Sequence, residues 1–284
     1  MGLTKISEIL RKAKDEKYAV GAFNADNLEM VQAFIAAAET MRSPLILQVS
    51  LGAINYSGLG SVANIAIYEA KNASIPVAVH LDHVKTYDQN VHALLAGVGS
   101  LCIDAADLPF ESNLAATKQV CELAHTAGLD AEAGIGYVPD SRENLSKEEA
   151  EKYKTDIAQA QKFVEETKVD LLAVSIGSMR GMKERVIDLD IELLEQINRA
   201  LNIPLVLHGA SGVKWESIQD AIQNGICKVN IASTFDQCFV DAIRLGISQH
   251  PEEKNFRKIF IPAREEVKNV TCDIFNKLGS SKKY

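Results

Sequence analysis

Short apolar runs alternate with longer amphipathic stretches along the whole chain. The runs fall at 18–24, 44–50, 76–82, 100–104, 129–134, 170–176, 204–208 and 227–231. Each is rich in Val, Ile, Leu or Ala and has the length of a strand buried on both faces, as in a parallel sheet. Between them, apolar residues recur three and four positions apart. That spacing predicts helices over 6–13, 28–40, 62–70, 91–98, 115–127, 157–167, 191–200 and 215–224. Pro44, Pro76 and Pro204 stand at the heads of three runs, where proline ends a preceding helix.

A strand followed by a helix, repeated eight times, predicts an α/β fold of the (β/α)8 or TIM-barrel type. A doubly wound open sheet is the alternative, but six strands would usually suffice there. The first run also ends in Gly-Ala-Phe-Asn at 21–24, not in the Gly-x-Gly-x-x-Gly turn of a dinucleotide site. No linker rich in Gly, Pro or Ser interrupts the pattern, so a single domain over 1–284 is expected. The charged stretch 140–155 is too long for a tight connection and reads as a mobile loop at the barrel mouth. The segment 251–284 reads as a helical tail packed on the outside of the barrel or on another subunit.

Composition narrows the function. The 284 residues carry 30 Lys+Arg against 38 Asp+Glu, a net charge of −8. That balance argues against nucleic-acid binding, which needs a basic face. No apolar stretch approaches the roughly 20 residues that span a bilayer. Residues 1–17 mix Lys, Arg, Asp and Glu with Ile and Leu, unlike a secretory leader. The cysteines at 102, 121, 227, 238 and 272 are odd in number and contain no Cys-x-x-Cys, which argues against a disulfide framework or a cysteine zinc site. A cytoplasmic protein with no nucleic-acid or membrane partner is expected.

In a TIM barrel the chemistry gathers at the C-terminal ends of the strands. Read in order, the ends here carry Asn24, Ser50, Asp82 with His83, Asp104, Glu132, Arg180, His208 and Asn230. Any one of them could simply satisfy a loop amide; polar residues at every end are harder to dismiss. In His-Leu-Asp-His at 80–83, alternation puts His80 and Asp82 on one face, with His83 turning out at the strand end. His80 reads as a core histidine. His83 and His208 read as candidate zinc ligands, since neutral imidazole is a common one. His92, His125 and His250 read as surface or packing residues. Small residues follow the last two runs, in Gly209-Ala-Ser-Gly212 and Asn230-Ile-Ala-Ser-Thr234. Such loops let an anion approach backbone N–H groups, and Ser178 and Gly181 after the sixth run would close a third side.

These residues resemble the class II, metal-dependent ketose-bisphosphate aldolases, on the tagatose- and fructose-bisphosphate branch. The resemblance rests on the motifs at 21–24 and 80–83, with Asn-Leu-Glu at 27–29, Ser-Pro at 43–44 and Asp-Leu-Pro-Phe at 107–110. It is completed by His-Gly-Ala-Ser-Gly at 208–212 and Lys-Val-Asn-Ile at 228–231. It implies a zinc ion with His83 and His208 as ligands, Asp82 as the group that moves a proton on the C4 hydroxyl, and Glu132 near the metal. Asn24, Ser50, Gly181, Gly209, Ala210, Ser211, Asn230, Ile231, Ala232 and Ser233 would hold the phosphorylated substrate. A homodimer or homotetramer is implied as well.

The chain departs from the family pattern where a third zinc histidine would stand. The segment is Ile-Gly-Ser-Met-Arg-Gly at 176–181, and the ligand position is Arg180. A guanidinium stays protonated and offers a metal no lone pair. Gly136-Tyr-Val-Pro-Asp140 stands after the fifth run where the family carries Gly-Gly followed by acidic residues, so Asp140 or Glu143 would fill that role only by chance, and Ala106 replaces a serine. Three readings stay open. The first is an aldolase-type carbon–carbon lyase on a phosphorylated ketose, releasing dihydroxyacetone phosphate and an aldehyde. Its altered metal site would recruit Glu132 or Asp104, and Arg180 would hold a substrate carboxylate or phosphate. The second is a metal-free lyase using Arg180 or a Schiff base on Lys183. The third is a non-catalytic sugar-phosphate-binding or regulatory protein.

Overall fold

The computed structural model describes residues 2–143, 145–182 and 184–284, the Lys147 side chain excepted. Its strands are β1 (Gly2–Leu3), β2 (Val20–Asn24), β3 (Leu45–Ser50), β4 (Pro76–Asp82), β5 (Ser100–Ile103), β6 (Asp130–Ile135), β7 (Leu171–Val174), β8 (Leu205–Leu207) and β9 (Ile226–Ile231). Strands β2 to β9 pair in parallel, each with the next, and β9 returns to β2. The sheet therefore closes into the eight-stranded barrel that the alternating pattern predicts, and each apolar run supplies one strand. β1 pairs with the start of β4 through Gly2 with Pro76 and Leu3 with Val77.

Each predicted helix is present: α1 (Ile6–Asp15), α2 (Leu28–Met41), α4 (Leu59–Asn72), α5 (Tyr87–Leu95), α6 (Phe110–Thr126), α8 (Ile157–Thr167), α9 (Ile191–Ala200) and α10 (Trp215–Gln223). Others lack so plain a periodicity. α3 (Leu51–Ser57) starts directly at the end of β3, where the Ser50 hydroxyl accepts from the Ala53 N–H at 3.1 Å. α11 (Ser233–Gln249) starts directly after β9, and α12 (Phe256–Lys277) lies along α2 and α11. The charged segment 140–155, expected as a loop, contains the short helix α7 (Lys147–Lys152). A Ser146–Glu149 capping box starts that helix. Its far end is anchored where the buried Thr155 hydroxyl donates to the Ile135 carbonyl at 2.7 Å and accepts from the Ser175 N–H at 2.8 Å.

Strand pleating divides the molecule into two cores. Outward residues such as Phe23, Leu47, Val49, Val79 and Leu81 pack under the helices. Inward residues near the strand starts, among them Val20, Ala22, Ile46, Ala78, Leu171 and Val206, form a second cluster. α1 plugs this end with Ile6, Ile9, Leu10 and Ala13, all buried. Each of the three larger side chains contributes about 1.5–3 kcal/mol by leaving water. The same inward face turns polar toward the other end: Ile46 is followed by Gln48 and Ser50, and Ala78 by His80 and Asp82. The barrel is thus dry at its base and polar at its mouth. Among the described residues, no helix is long and apolar enough to cross a membrane.

Candidate active site

A fully buried ion pair lies beneath the mouth. Lys228 Nζ on β9 sits 2.7 Å from Glu132 Oε2 on β6, and both side chains are essentially inaccessible to water. Burial alone would push the Glu132 carboxyl up, but Lys228, His80 and a hydrogen bond from His208 outweigh it and hold the carboxyl well below the carboxylate range. His80 is equally buried; its Nδ1 meets the Ser100 hydroxyl at 2.5 Å and its Nε2 lies 3.3 Å from Glu132. That second approach is within ion-pair range but lacks hydrogen-bond geometry, since His80 Nε2 remains unpartnered. Burial and the Lys228 charge pull the His80 pKa down, which favours the neutral imidazole. His80 is a core histidine, as its place on the strand suggests.

Two further imidazoles stand above this pair. His208 Nε2 meets Glu132 Oε1 at 2.9 Å, and His83 Nδ1 meets Asp104 Oδ2 at 2.8 Å. Their rings stack edge to face with centroids 4.6 Å apart. A carboxylate that accepts from one imidazole nitrogen fixes the tautomer and leaves a lone pair on the other. His208 Nδ1 and His83 Nε2 are the nitrogens so left. Asp82 Oδ2 lies 3.8 Å from His83 Nε2, and Asp82 Oδ1 accepts from Asn230 Nδ2 at 3.1 Å. Asp82 and Asp104 raise the His83 pKa against the opposing effect of burial. His83 also adopts a left-handed backbone, with φ of 55°. Such a conformation is costly for a residue with a Cβ and is typical of functional sites.

Metal-ligating side chains converge in two places among the described residues: His80, Cys102 and Glu132 form one group, and Asp82, His83 and His208 the other. The first is poorly suited to a cation. Lys228 already neutralises Glu132, and burial with nearby carboxylates pushes the Cys102 thiol well up, away from the thiolate a metal needs. The second fits better, because it has two imidazoles oriented by carboxylates and a carboxylate within reach. Glu132 and Asp104, expected as possible extra ligands, serve here as the hydrogen-bond partners of the two histidines.

Arg180 borders this group. Its backbone is held by a hydrogen bond from its N–H to the Pro139 carbonyl at 2.8 Å and by one from the Ser141 N–H to its own carbonyl at 2.9 Å. The side chain enters the cleft, with Nη1 3.8 Å from Asp104 Oδ2 and the guanidinium 5.8 Å from the Tyr137 ring centroid. Glu143 accepts from the Tyr137 hydroxyl at 2.7 Å, and Asp140 pairs with Arg142 at 2.8 Å. Lys183 lies outside the described residues.

Most expected phosphate contacts line one cleft of about 310 Å³: Asn24, Ser50, Gly181, Gly209, Ser211, Asn230, Ala232 and Ser233, together with Asp82, His83 and Arg180. Ala210 and Ile231 do not line it; both are buried in the hydrophobic core. The Gly209 φ of 68° turns the chain into the short 3-10 helix Ala210–Gly212 at the cleft edge. A Cβ at Gly209 would lie 2.9 Å from the Met179 backbone. Arg185 Nη1 braces that turn through the carbonyls of Ala210 at 2.9 Å and Val213 at 2.7 Å. The α11 N-terminus flanks the cleft from the other side, so backbone N–H groups and helix dipoles favour an anion there. Gln48 also lines the cleft, and its buried Nε2 has no partner. Its inward register, two residues before Ser50, was the available signal for it. Ser178 Oγ is buried without a partner and does not line this cleft.

A half-buried acidic residue, Asp26, follows β2. Burial, with the Asp236 charge second, raises the Asp26 carboxyl from 3.8 to about 6. A raised carboxylate pKa means that ionisation opposes folding. The penalty is complete above pH 6 and is relieved as pH falls from 6 toward 3.8. Asp26→Asn is therefore expected to raise the melting temperature at pH 7.5, with the gain shrinking through pH 6 and absent below pH 3.8. Thermal melts across that range check it.

The comparisons with known proteins agree with this fold. The chain is 37% identical to a fructose-bisphosphate aldolase from Helicobacter pylori (strain J99 / ATCC 700824), with 99% of each chain covered. Its fold matches the crystal structure of the YdjI aldolase from Escherichia coli K12 with a TM-score of 0.87 at 30% identity, covering 99% of each chain. A putative fructose-1,6-biphosphate aldolase from Coccidioides immitis superposes equally well, with a TM-score of 0.87 at 25% identity over 98% of this chain and 97% of that one. The model of the class-II fructose-bisphosphate aldolases, a family of aldehyde-lyases, matches residues 4–283, and the chain belongs to that family.

Proposed function

We propose that the protein cleaves a phosphorylated ketose of the fructose- or tagatose-bisphosphate kind into dihydroxyacetone phosphate and an aldehyde, using a two-histidine metal site. The observation that carries this reading is the pair of carboxylate-oriented imidazoles, His83 on Asp104 and His208 on Glu132, beside Asp82. When bound by His83 and His208, a divalent zinc supplies Lewis-acid polarisation of the ketose carbonyl. The chain's own residues do the rest. The turns at Gly209–Ser211 and Ala232–Ser233 anchor the phosphate through N–H groups and hydroxyls. Asn230 holds the Asp82 carboxylate at 3.1 Å so that it faces the C4 hydroxyl. As the C3–C4 bond breaks, Asp82 takes the hydroxyl proton and the electron pair of the bond stays on the three-carbon fragment.

Arg180 favours a second reading, a sugar-phosphate-binding protein or a metal-free lyase. One fixed cation beside the histidines opposes a divalent one. Zinc per chain in protein purified without chelators, measured with dihydroxyacetone phosphate release, separates the readings. About one zinc with product release supports the first; no zinc even after incubation with excess metal overturns it. Arg180→His is expected to tighten zinc binding by at least 10-fold, read by competition with a chromogenic chelator, because it trades a cation for an imidazole donor. A cytoplasmic setting is part of this reading and is supported by the absence of any disulfide among the described residues. A homodimer or homotetramer is part of it too, supported by exposed apolar side chains such as Phe256 and Ile261 on α12.

A further inference from the structure

We propose that Arg180 makes the mouth of the barrel a carboxylate subsite, so that the preferred ligand carries a carboxylate a short distance from its phosphate. The inference rests on the phosphate reading of the loops after β8 and β9.

Three observations carry it. The first is that the guanidinium is available. Arg180 is about two-thirds buried, with 32% of its side chain exposed, yet it makes no side-chain hydrogen bond of standard geometry to any described residue, and its buried Nε has no partner. Its approach to Asp104, at 3.8 Å, is too long for a hydrogen bond. Asp104 Oδ2 is already taken by His83 Nδ1 at 2.8 Å.

The second is charge. Glu132 has Lys228 at 2.7 Å, and Asp104 has His83, with Lys85 Nζ 3.9 Å away. Glu132 and Asp104 are thus each held by a nearer hydrogen-bond partner, and Asp82 and Glu143 accept from Asn230 and from the Tyr137 hydroxyl. Arg180 remains as a planar fork of donors, the shape that binds a carboxylate through two parallel hydrogen bonds.

The third is space. Arg180 borders two compartments at once. One is the cleft of about 310 Å³ that contains Gly209, Ser211 and Ser233. The other is a recess of about 30 Å³ among His83, Asp104, Tyr137 and His208. The recess is the smaller of the two, and a planar carboxylate needs less room there than a second tetrahedral phosphate. A ligand with its phosphate in the cleft would thus present its other end to Arg180.

The test uses two phosphate monoesters that differ in the carboxylate, 2-phosphoglycolate and ethyl phosphate, titrated by calorimetry into the full chain. The wild-type protein is expected to bind 2-phosphoglycolate at least 10-fold more tightly. Arg180→Gln, checked for folding by thermal melt, is expected to bring that ratio near one; the loss of its charge weakens both phosphate monoesters alike and cancels in the ratio. Arg180→Lys, which keeps the charge but loses the fork, is expected to restore only part of the preference. If wild type binds both compounds equally, the carboxylate subsite is overturned and the phosphate reading stands. A preference that survives in Arg180→Gln assigns the carboxylate to another partner, a bound metal included, and also overturns it. If neither compound binds, the phosphate reading fails, and this inference fails with it.

Discussion

Asp82→Asn is expected to lower kcat for cleavage of a phosphorylated ketose by about 10²–10⁴-fold, the usual contribution of a positioned general base. The substitution leaves the shape of the side chain intact. Its amide still reaches Asn230, whose Oδ1 is buried and lacks a partner in the native protein. Stability and KM should therefore change little, and the loss should fall on kcat. Steady-state kinetics with a coupled assay for dihydroxyacetone phosphate, together with a thermal melt, check both halves. A loss of activity that came only with a lower melting temperature would count against Asp82 as the proton acceptor, as would full activity.

Lys228→Met is expected to have the largest effect on stability. It strands the Glu132 carboxylate at a site where neither partner is reached by water. Removing one partner of a buried ion pair typically costs about 3–5 kcal/mol. Urea unfolding should show the loss. Adding Glu132→Gln should recover most of it, because no charge is then buried and the amide oxygen still accepts from His208. The native pair also has a pH signature. The Glu132 carboxyl is depressed below its ordinary 4.5, so the stabilisation from Lys228 is complete above that pH and is lost as pH falls through the depressed value. The double variant should lack this acid-side loss. Lys228 thus supports the site from below, through Glu132, without facing the cleft.

Much of this could be read along the chain. Barrel closure follows from eight apolar runs separated by amphipathic stretches, because a strand buried on both faces needs apolar side chains at nearly every position. Asp82, His83 and His208 could be found as polar residues at strand ends, because the C-terminal rim is where a packed barrel leaves room for them. Helices α3 and α11 were less legible, because each starts directly at the end of a strand and no break in pattern announces it. α7 hides in a stretch so polar that it has no apolar face to reveal it.

Sequence by itself determined the fold, the polar rim and the replacement of an expected imidazole by Arg180, since these depend on residue type and local periodicity. Tertiary structure alone decided who pairs with whom. It set Lys228 against Glu132 across 96 positions of sequence, made Glu132 and Asp104 hydrogen-bond partners of His208 and His83, and left the Arg180 guanidinium without a hydrogen-bonded acid. The physical reason is that charge pairing inside a closed barrel depends on distances across its interior. Those distances are fixed only once all eight strands are in register.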